Sequence, residues 1–490
     1  MATLCTLIDR LISISVENEL TTNRDVMYSR NRILAMFGEN EFVMSDEKCE
    51  LDLYTTLDEL ANIAVSKDII QDSLAEKDCL TSEIMNIFLP APSRVEADFW
   101  ANYNECPTLA TSTFYKMSQS SNYIKMNRIA KNVGFKADSP YGPLDVTINL
   151  SKPEKDPKEI ARLKNAPTSS YPKCLLCVEN EGYEGTLSHP DRANHRTINL
   201  HLNNKDWRMQ YSPYLYYNEH CILLSASHEP MSITKNTFYN LLSFVEKFPH
   251  YFVGSNADLP IVGGSILSHE HYQGGSYEFP INRATVLDTF KIPGFDGITG
   301  EILNWPLTTI KLSGPVLSDI AECTNHIYEV WKTYSDASAD ILAETEGTRH
   351  NTITPVAKKI GDNFVMYVVL RNNRTTDENP LGIFHPHADV HHIKKENIGL
   401  IEVMGLAILP GRLLGELEEV KAFVKGDSTE VKEYHLEWAK ELKTAYDNSC
   451  IDTYVEAALG RKFTRVLEDA GVFKLTETGL TQFKAFISTL

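Results

Sequence analysis

The sequence predicts an α+β protein in which helical segments at both ends flank a strand-rich middle with largely antiparallel sheets. Three observations carry that expectation. Leu57, Leu60, Ala61 and Ala64 repeat the one-sided spacing of an amphipathic helix. Leu144, Val146, Ile148 and Leu150 alternate strictly with Asp145, Thr147 and Asn149, the period of a half-buried strand. Strand-like runs then dominate, at Cys221 to Leu224, Phe364 to Leu370 and Leu400 to Met404, parted by loops such as Asn379-Pro380-Leu381-Gly382.

In chain order, the first element is a helix, because Leu4, Leu7, Ile8, Leu11 and Ile12 share one face. Asp9 and Arg10 interrupt any apolar signal-peptide core. A polar stretch from Ser151 to Pro157 leads towards Cys174 and Cys177. Beyond Pro410-Gly411 the pattern returns to helix, with Gly426 placed after Lys425 as a C-cap would be. These shifts divide the chain into a helical segment over 1–120, two mixed units over 121–300 and 301–415, and a helical segment over 416–490.

Composition narrows the function classes. At 490 residues, 42% hydrophobic and 23% charged, the chain can bury a large core without disulfide staples. Lys and Arg total 47 against 66 Asp and Glu, a net charge of −19, which argues against a nucleic-acid polymer or an anionic membrane as partner. A small phosphorylated ligand needs only a few local donors and stays compatible with that field. No uncharged apolar run reaches transmembrane length. Of nine cysteines only Cys174 and Cys177 form a close pair, which fits a reducing, cytoplasmic setting with one metal or redox site.

The segment from Gly263 to Gly275 holds the most chemistry. On a strand, His269, His271 and Gln273 line one face, with glycines on both sides that admit a ligand or another backbone. Two imidazoles and an amide side by side offer a nucleophile, a metal ligand and a neutral hydrogen-bond donor. Taken alone, such a pair also fits a surface strand or an ordinary metal clip. Cys174-Leu175-Leu176-Cys177 has the spacer that lets two thiolates grip one tetrahedral ion, with His228 and His269 as candidates for the remaining zinc ligands. A redox pair is the competing assignment, but no thioredoxin-like pattern surrounds it. His385-Pro386-His387 repeats the His-x-His unit 116 residues after His269, the mark of a duplicated unit.

Several stretches together resemble the galactose-1-phosphate uridylyltransferase family of the histidine-triad superfamily, in its second bacterial type. They are Cys174 to Cys177, Pro213 to His220, His228-Glu229-Pro230-Met231, the His269-to-Gln273 strand, His350 to Pro355, and Phe384 to Leu413. The resemblance implies two histidine-triad-like halves and places the family's nucleophile on His271. Its glutamine falls on Gln273 and its zinc ligands on Cys174, Cys177, His228 and His269. Nucleotide contacts fall on Asn256 and Ser265, although the serine stands one residue further from His269 than the family pattern has it. Glu270 replaces a proline between the histidines, and the family's iron site matches only in part, at His385 and His387, so iron is not among the implied cofactors.

The resemblance further implies UDP-glucose and galactose 1-phosphate as substrates, uridylyl transfer through a covalent histidine intermediate, and a homodimer as the superfamily's frequent assembly. Neither nucleic acid nor membrane is expected as partner. The free ring nitrogen of the nucleophile should act while the other donates to a backbone carbonyl. Arg371, Arg374, Arg128 and Lys125 are candidates for meeting phosphate; His391-His392 and Lys394-Lys395 read as a solvated loop. The rival readings are a histidine-triad hydrolase or phosphorylase acting on a dinucleoside polyphosphate or ADP-sugar, and a non-catalytic zinc-stabilised binding protein.

Overall fold

A computed structural model describes residues 3–43, 49–151, 170–186, 188–264 and 266–490. The N-terminal helices follow the one-sided spacing. In Leu4–Glu17, Leu7, Ile8, Leu11 and Ile12 are buried; Leu57, Leu60, Ala61 and Ala64 are buried in Leu53–Ser66. The Thr3 hydroxyl and the Asp52 carboxylate accept from the amides of Thr6 and Thr55, satisfying donors the first turns leave free. With Val26–Met36 and Leu74–Asn86 these helices close a satellite core of their own.

Fifteen strands follow among the described residues: β1 (Val133–Ala137), β2 (Leu144–Asn149), β3 (Ile198–Leu202), β4 (Lys205–Tyr211), β5 (Cys221–Ser225), β6 (Phe252–Gly254), β7 (His271–Gly275), β8 (Val286–Phe290), β9 (Thr299–Leu303), β10 (Thr309–Gly314), β11 (Glu344–Thr345), β12 (Thr348–Arg349), β13 (Asn351–Ile360), β14 (Asn363–Asn372) and β15 (Leu406–Pro410). Ten form one sheet in the order β3-β4-β5-β7-β6-β13-β14-β10-β9-β8. Every neighbouring pair in it is antiparallel. β11 and β12 make a small hairpin, while β1, β2 and β15 form a separate sheet whose β2–β15 pair is parallel.

The large sheet contains one plan twice. The order β3-β4-β5-β7-β6, with helix Lys235–Lys247 between β5 and β6, matches β8-β9-β10-β14-β13, with helix Leu317–Thr333 between β10 and β13. Two copies of this plan therefore meet where β6 pairs with β13, Gly254 opposite Val356 and Phe252 opposite Lys358. The counterpart of β7 is β14, which carries no histidine. His385-Pro386-His387 lies outside any strand, so the duplication is real but these residues do not mark it. Their rings are tied to the main chain, His385 Nδ1 donating to Pro386 O at 3.2 Å and His387 Nε2 to Ile383 O at 3.0 Å.

β14 explains its uninterrupted apolar run. Met366, Val368 and Leu370 enter the core beneath the Lys235–Lys247 and Leu317–Thr333 helices; Val365, Tyr367 and Val369 enter the opposite core. A strand covered on both faces needs no polar alternation. The second core is closed by the small sheet and by helices Leu413–Lys425, Leu436–Ala445 and Ile451–Ala470. Gly426 caps the first of these at φ +86°, the left-handed conformation glycine adopts without steric cost.

Two expectations are corrected here. Leu400 to Met404 is not a strand: Leu400–Val403 is a short helix, and β15 begins at Leu406 after Gly405 turns the chain at φ +98°. A run of five apolar or buried residues fits either period, so the sequence did not separate them. His391 to Lys395 is not a solvated loop throughout. Lys394 is buried and pairs with Glu402 at 3.0 Å, and His392 Nδ1 lies 2.7 Å from the Nδ1 of buried His435. No helix among the described residues is long and apolar enough to cross a membrane.

Candidate active site and metal centre

The Cys-x-x-Cys turn and two distant histidines converge. Cys174 Sγ lies 3.5 Å from Cys177 Sγ and 3.3 Å from His269 Nδ1, and Cys177 Sγ lies 3.1 Å from His228 Nδ1 and 3.8 Å from His269 Nδ1. This is the one such cluster among the described residues. Two sulfurs about 2.3 Å from a tetrahedral ion stand about 3.8 Å apart, and sulfur and nitrogen about 3.6 Å apart, so the donors are already spaced for a metal. The sulfurs are far too distant for a disulfide, for which about 2.05 Å is needed. Burial pushes the Cys174 thiol up, but hydrogen bonds led by that of His269 outweigh it and hold the thiol below its ordinary value.

His269 turns its Nδ1 towards the sulfurs because its Nε2 donates to Ser225 O at 2.9 Å. A ring held this way presents a fixed lone pair, the usual support of a metal-bound histidine. The residue lies just before β7 rather than on it, so His269 and His271 do not project side by side from one strand. They are joined otherwise: His271 Nδ1 donates to the carbonyl oxygen of His269 at 2.8 Å. This bond fixes the tautomer of the His271 ring.

β7 then displays its side chains in alternation. Tyr272 enters the first core, so His271 and Gln273 take the other face. Glu270 accepts from Tyr272 OH at 2.9 Å and pairs with Lys205 at 2.6 Å. His271 is 7% exposed; its Nε2 has no partner among the described residues, yet that atom is not sealed from solvent. Burial lowers its pKa below the ordinary histidine range, with the His269 carbonyl opposing, so the ring is neutral and Nε2 keeps its lone pair.

Gln273 is half-buried, and its Oε1 accepts from His220 Nε2 at 3.2 Å. The amide nitrogen is left without a partner among the described residues. His220 was not singled out as a site residue from sequence. The signal lay in register: Ile222 on β5 stands opposite Gln273, so His220, two residues earlier, points diagonally at the same amide.

Asn256 is buried beside this strand pair, its Oδ1 accepting from Leu400 N at 2.8 Å. Its amide occupies the space Gly264 leaves, since a Cβ there would come within 2.6 Å of Asn256 Nδ2. The β6–β7 register pairs Gly254, the last residue of β6, with Gln273, and Asn256 follows two residues beyond it. Ser265 lies outside the described residues. The basic candidates are engaged elsewhere. Arg128 and Lys125 grip Asp78, and Arg374 holds Asp340. Arg371, 1% exposed, donates to Ile398 O at 2.9 Å, buried inside the second half rather than displayed to a ligand.

Comparison with known proteins identifies the family. The N-terminal domain of galactose-1-phosphate uridyl transferase matches residues 19–230 and its C-terminal domain residues 244–440. Galactose-1-phosphate uridylyltransferase of Clostridium perfringens strain 13 is 56% identical over 496 residues, covering 100% of both chains. The proteins of the same name from Ligilactobacillus salivarius strain UCC118 and Streptococcus pneumoniae strain CGSP14 are 49% and 47% identical, each alignment covering 98% of both chains. With its two domains matched in order and relatives running its whole length, the chain belongs to the galactose-1-phosphate uridyl transferase family and is a nucleotidyltransferase.

Proposed function

We propose that the protein transfers a uridylyl group from UDP-glucose to galactose 1-phosphate through a covalent intermediate on His271, and that it does so in the cytoplasm. The observation that carries the reading is the 2.8 Å bond from His271 Nδ1 to His269 O, which leaves Nε2 as an unprotonated nucleophile. Nε2 attacks the α-phosphorus in line. A phosphorus–nitrogen bond forms as the bond from the α-phosphorus to the bridging oxygen breaks, and glucose 1-phosphate departs. A phosphate oxygen of galactose 1-phosphate then attacks the same phosphorus, the phosphorus–nitrogen bond breaks, and UDP-galactose leaves.

The leaving group is a stable phosphate monoester anion, so no strong general acid is required. That is why an amide serves at Gln273: its N–H donates to a phosphoryl oxygen without changing charge, and it cannot activate water as a base. Asn256 and Ser265 contact the nucleotide. Cys174, Cys177, His228 and His269 would hold a zinc ion, which with four protein ligands would supply structure rather than chemistry.

The test is direct. Mixing with UDP-glucose should yield a nucleotidyl adduct detectable by mass, mapped to His271, and exchange of labelled glucose 1-phosphate into UDP-glucose without galactose 1-phosphate. No adduct and no exchange would refute the double displacement. Hydrolysis of a dinucleoside polyphosphate in its place would favour the histidine-triad hydrolase reading.

A further inference from the structure

We propose that His220 is a positioning residue for the transfer reaction: its ring N–H locks the Gln273 amide so that the amide nitrogen faces the reacting phosphoryl group. This rests on the proposed role of Gln273 and names the group that makes that role possible.

The geometry leaves one arrangement. His220 Nε2 lies 3.2 Å from Gln273 Oε1 and must be the donor, because the amide oxygen only accepts. Were the amide turned over, N–H would face N–H. A neutral ring carrying its proton on Nε2 has a bare lone pair on Nδ1, and that atom is buried with no partner among the described residues. The other tautomer would leave a buried N–H unsatisfied, which is costlier than a bare lone pair. Burial pushes the pKa of His220 down to about 3, so the ring stays neutral and its donor is constant across the working range.

Packing fixes the ring as firmly as the bond does. His220 is 2% exposed, with Tyr217 at 4.5 Å and Tyr216 at 5.5 Å between ring centroids. Its main chain is held on both sides: His220 O accepts from Ser212 N at 2.8 Å, and His220 N donates to Tyr217 O at 3.2 Å. Tyr217 OH in turn donates to Gly274 O at 3.2 Å, next to Gln273. The ring thus moves with β7, and the amide it grips has a single bonded orientation. An amide free to flip would offer oxygen to the phosphate about as often as nitrogen.

Two substitutions separate donor from packing. His220→Phe keeps the ring and its stacking but has no N–H, whereas His220→Gln keeps an N–H donor of similar reach and loses the ring. If the donor matters, Phe lowers kcat about tenfold with KM little changed, while Gln stays within about threefold of the parent. Phe equal to or better than Gln would overturn the proposal. Melting temperatures establish that both variants fold; should Phe not fold, His220→Leu replaces it.

The same pair is then measured with Gln273→Ala. A residue that acts through Gln273 has nothing further to lose there, so His220→Phe leaves the remaining rate unchanged. A second tenfold loss in that background would assign His220 to structure alone and leave the reading of Gln273 standing. Should Gln273→Ala itself have no effect on kcat, the role of Gln273 falls and this inference with it.

Discussion

The carbonyl oxygen of His269 accepts the Nδ1 proton of His271 at 2.8 Å, so a residue whose ring lies beside the Cys174 and Cys177 sulfurs holds the His271 ring through its main chain. Two neighbours in sequence thereby couple the Cys174–Cys177 turn and His228 to the aim of a ring that touches none of them. A metal bound by the four residues would fasten the start of β7, and with it the carbonyl that fixes the tautomer of His271.

Loss of the metal should therefore reach the reaction indirectly. Cys174→Ser, or prolonged treatment with a strong chelator, is expected to lower the melting temperature and to reduce transfer about 10–100-fold. Thermal melts with metal analysis by mass spectrometry check this. Full activity with no bound metal would contradict it.

His271→Gly should abolish adduct formation and lower transfer about a thousandfold or more, because the covalent route is lost. The fold should persist, since the substitution removes one side chain whose bond is to the main-chain oxygen of His269. Circular dichroism and a mass scan after incubation with UDP-glucose measure both.

Gly264→Ala places a methyl group 2.6 Å from Asn256 Nδ2. Asn256 is pinned from its other side by Leu400 N, so it has little room to retreat. The substitution should cost about 1–3 kcal/mol of stability and raise the KM for UDP-glucose more than it lowers kcat. Urea melts and steady-state kinetics give the two numbers.

Acid should weaken the fold from the histidine range downward. Burial holds His220 down to about 3; His392 is pushed down to about 4 by burial first and then by His435, Lys462 and Arg412. Unfolded histidines take up protons below about 6.5, so between that value and about 4 the unfolded state binds more protons than the folded one. Stability is full above the unfolded value and falls as pH drops through this window. Melting temperatures at pH 7.5, 6 and 5 should decline in that order, and His392→Phe should flatten the decline.

Much of the site was legible because its chemistry sits in short local patterns. The Cys-x-x-Cys spacing and the His-x-His-x-Gln alternation each specify relative position within a few residues, and the structure brings them together. What escaped depends on contacts between remote strands. His220 gains its meaning only from the β5–β7 register, and Arg371 reads as a free cation until β14 is seen covered on both faces. Lys394 is drawn inside by Glu402, a partner eight residues away across a turn that periodicity does not describe. The second His-x-His unit misled because the repeat survives in strand order, while the residues on the repeated strand have been replaced.

That repeat also limits how the molecule can move. Main-chain bonds across β6 and β13 run from one copy into the other, so no hinge separates them. A swing of one half against the other would have to break the sheet at its middle. Turnover therefore needs no movement of one copy against the other, and it should survive a crosslink between them.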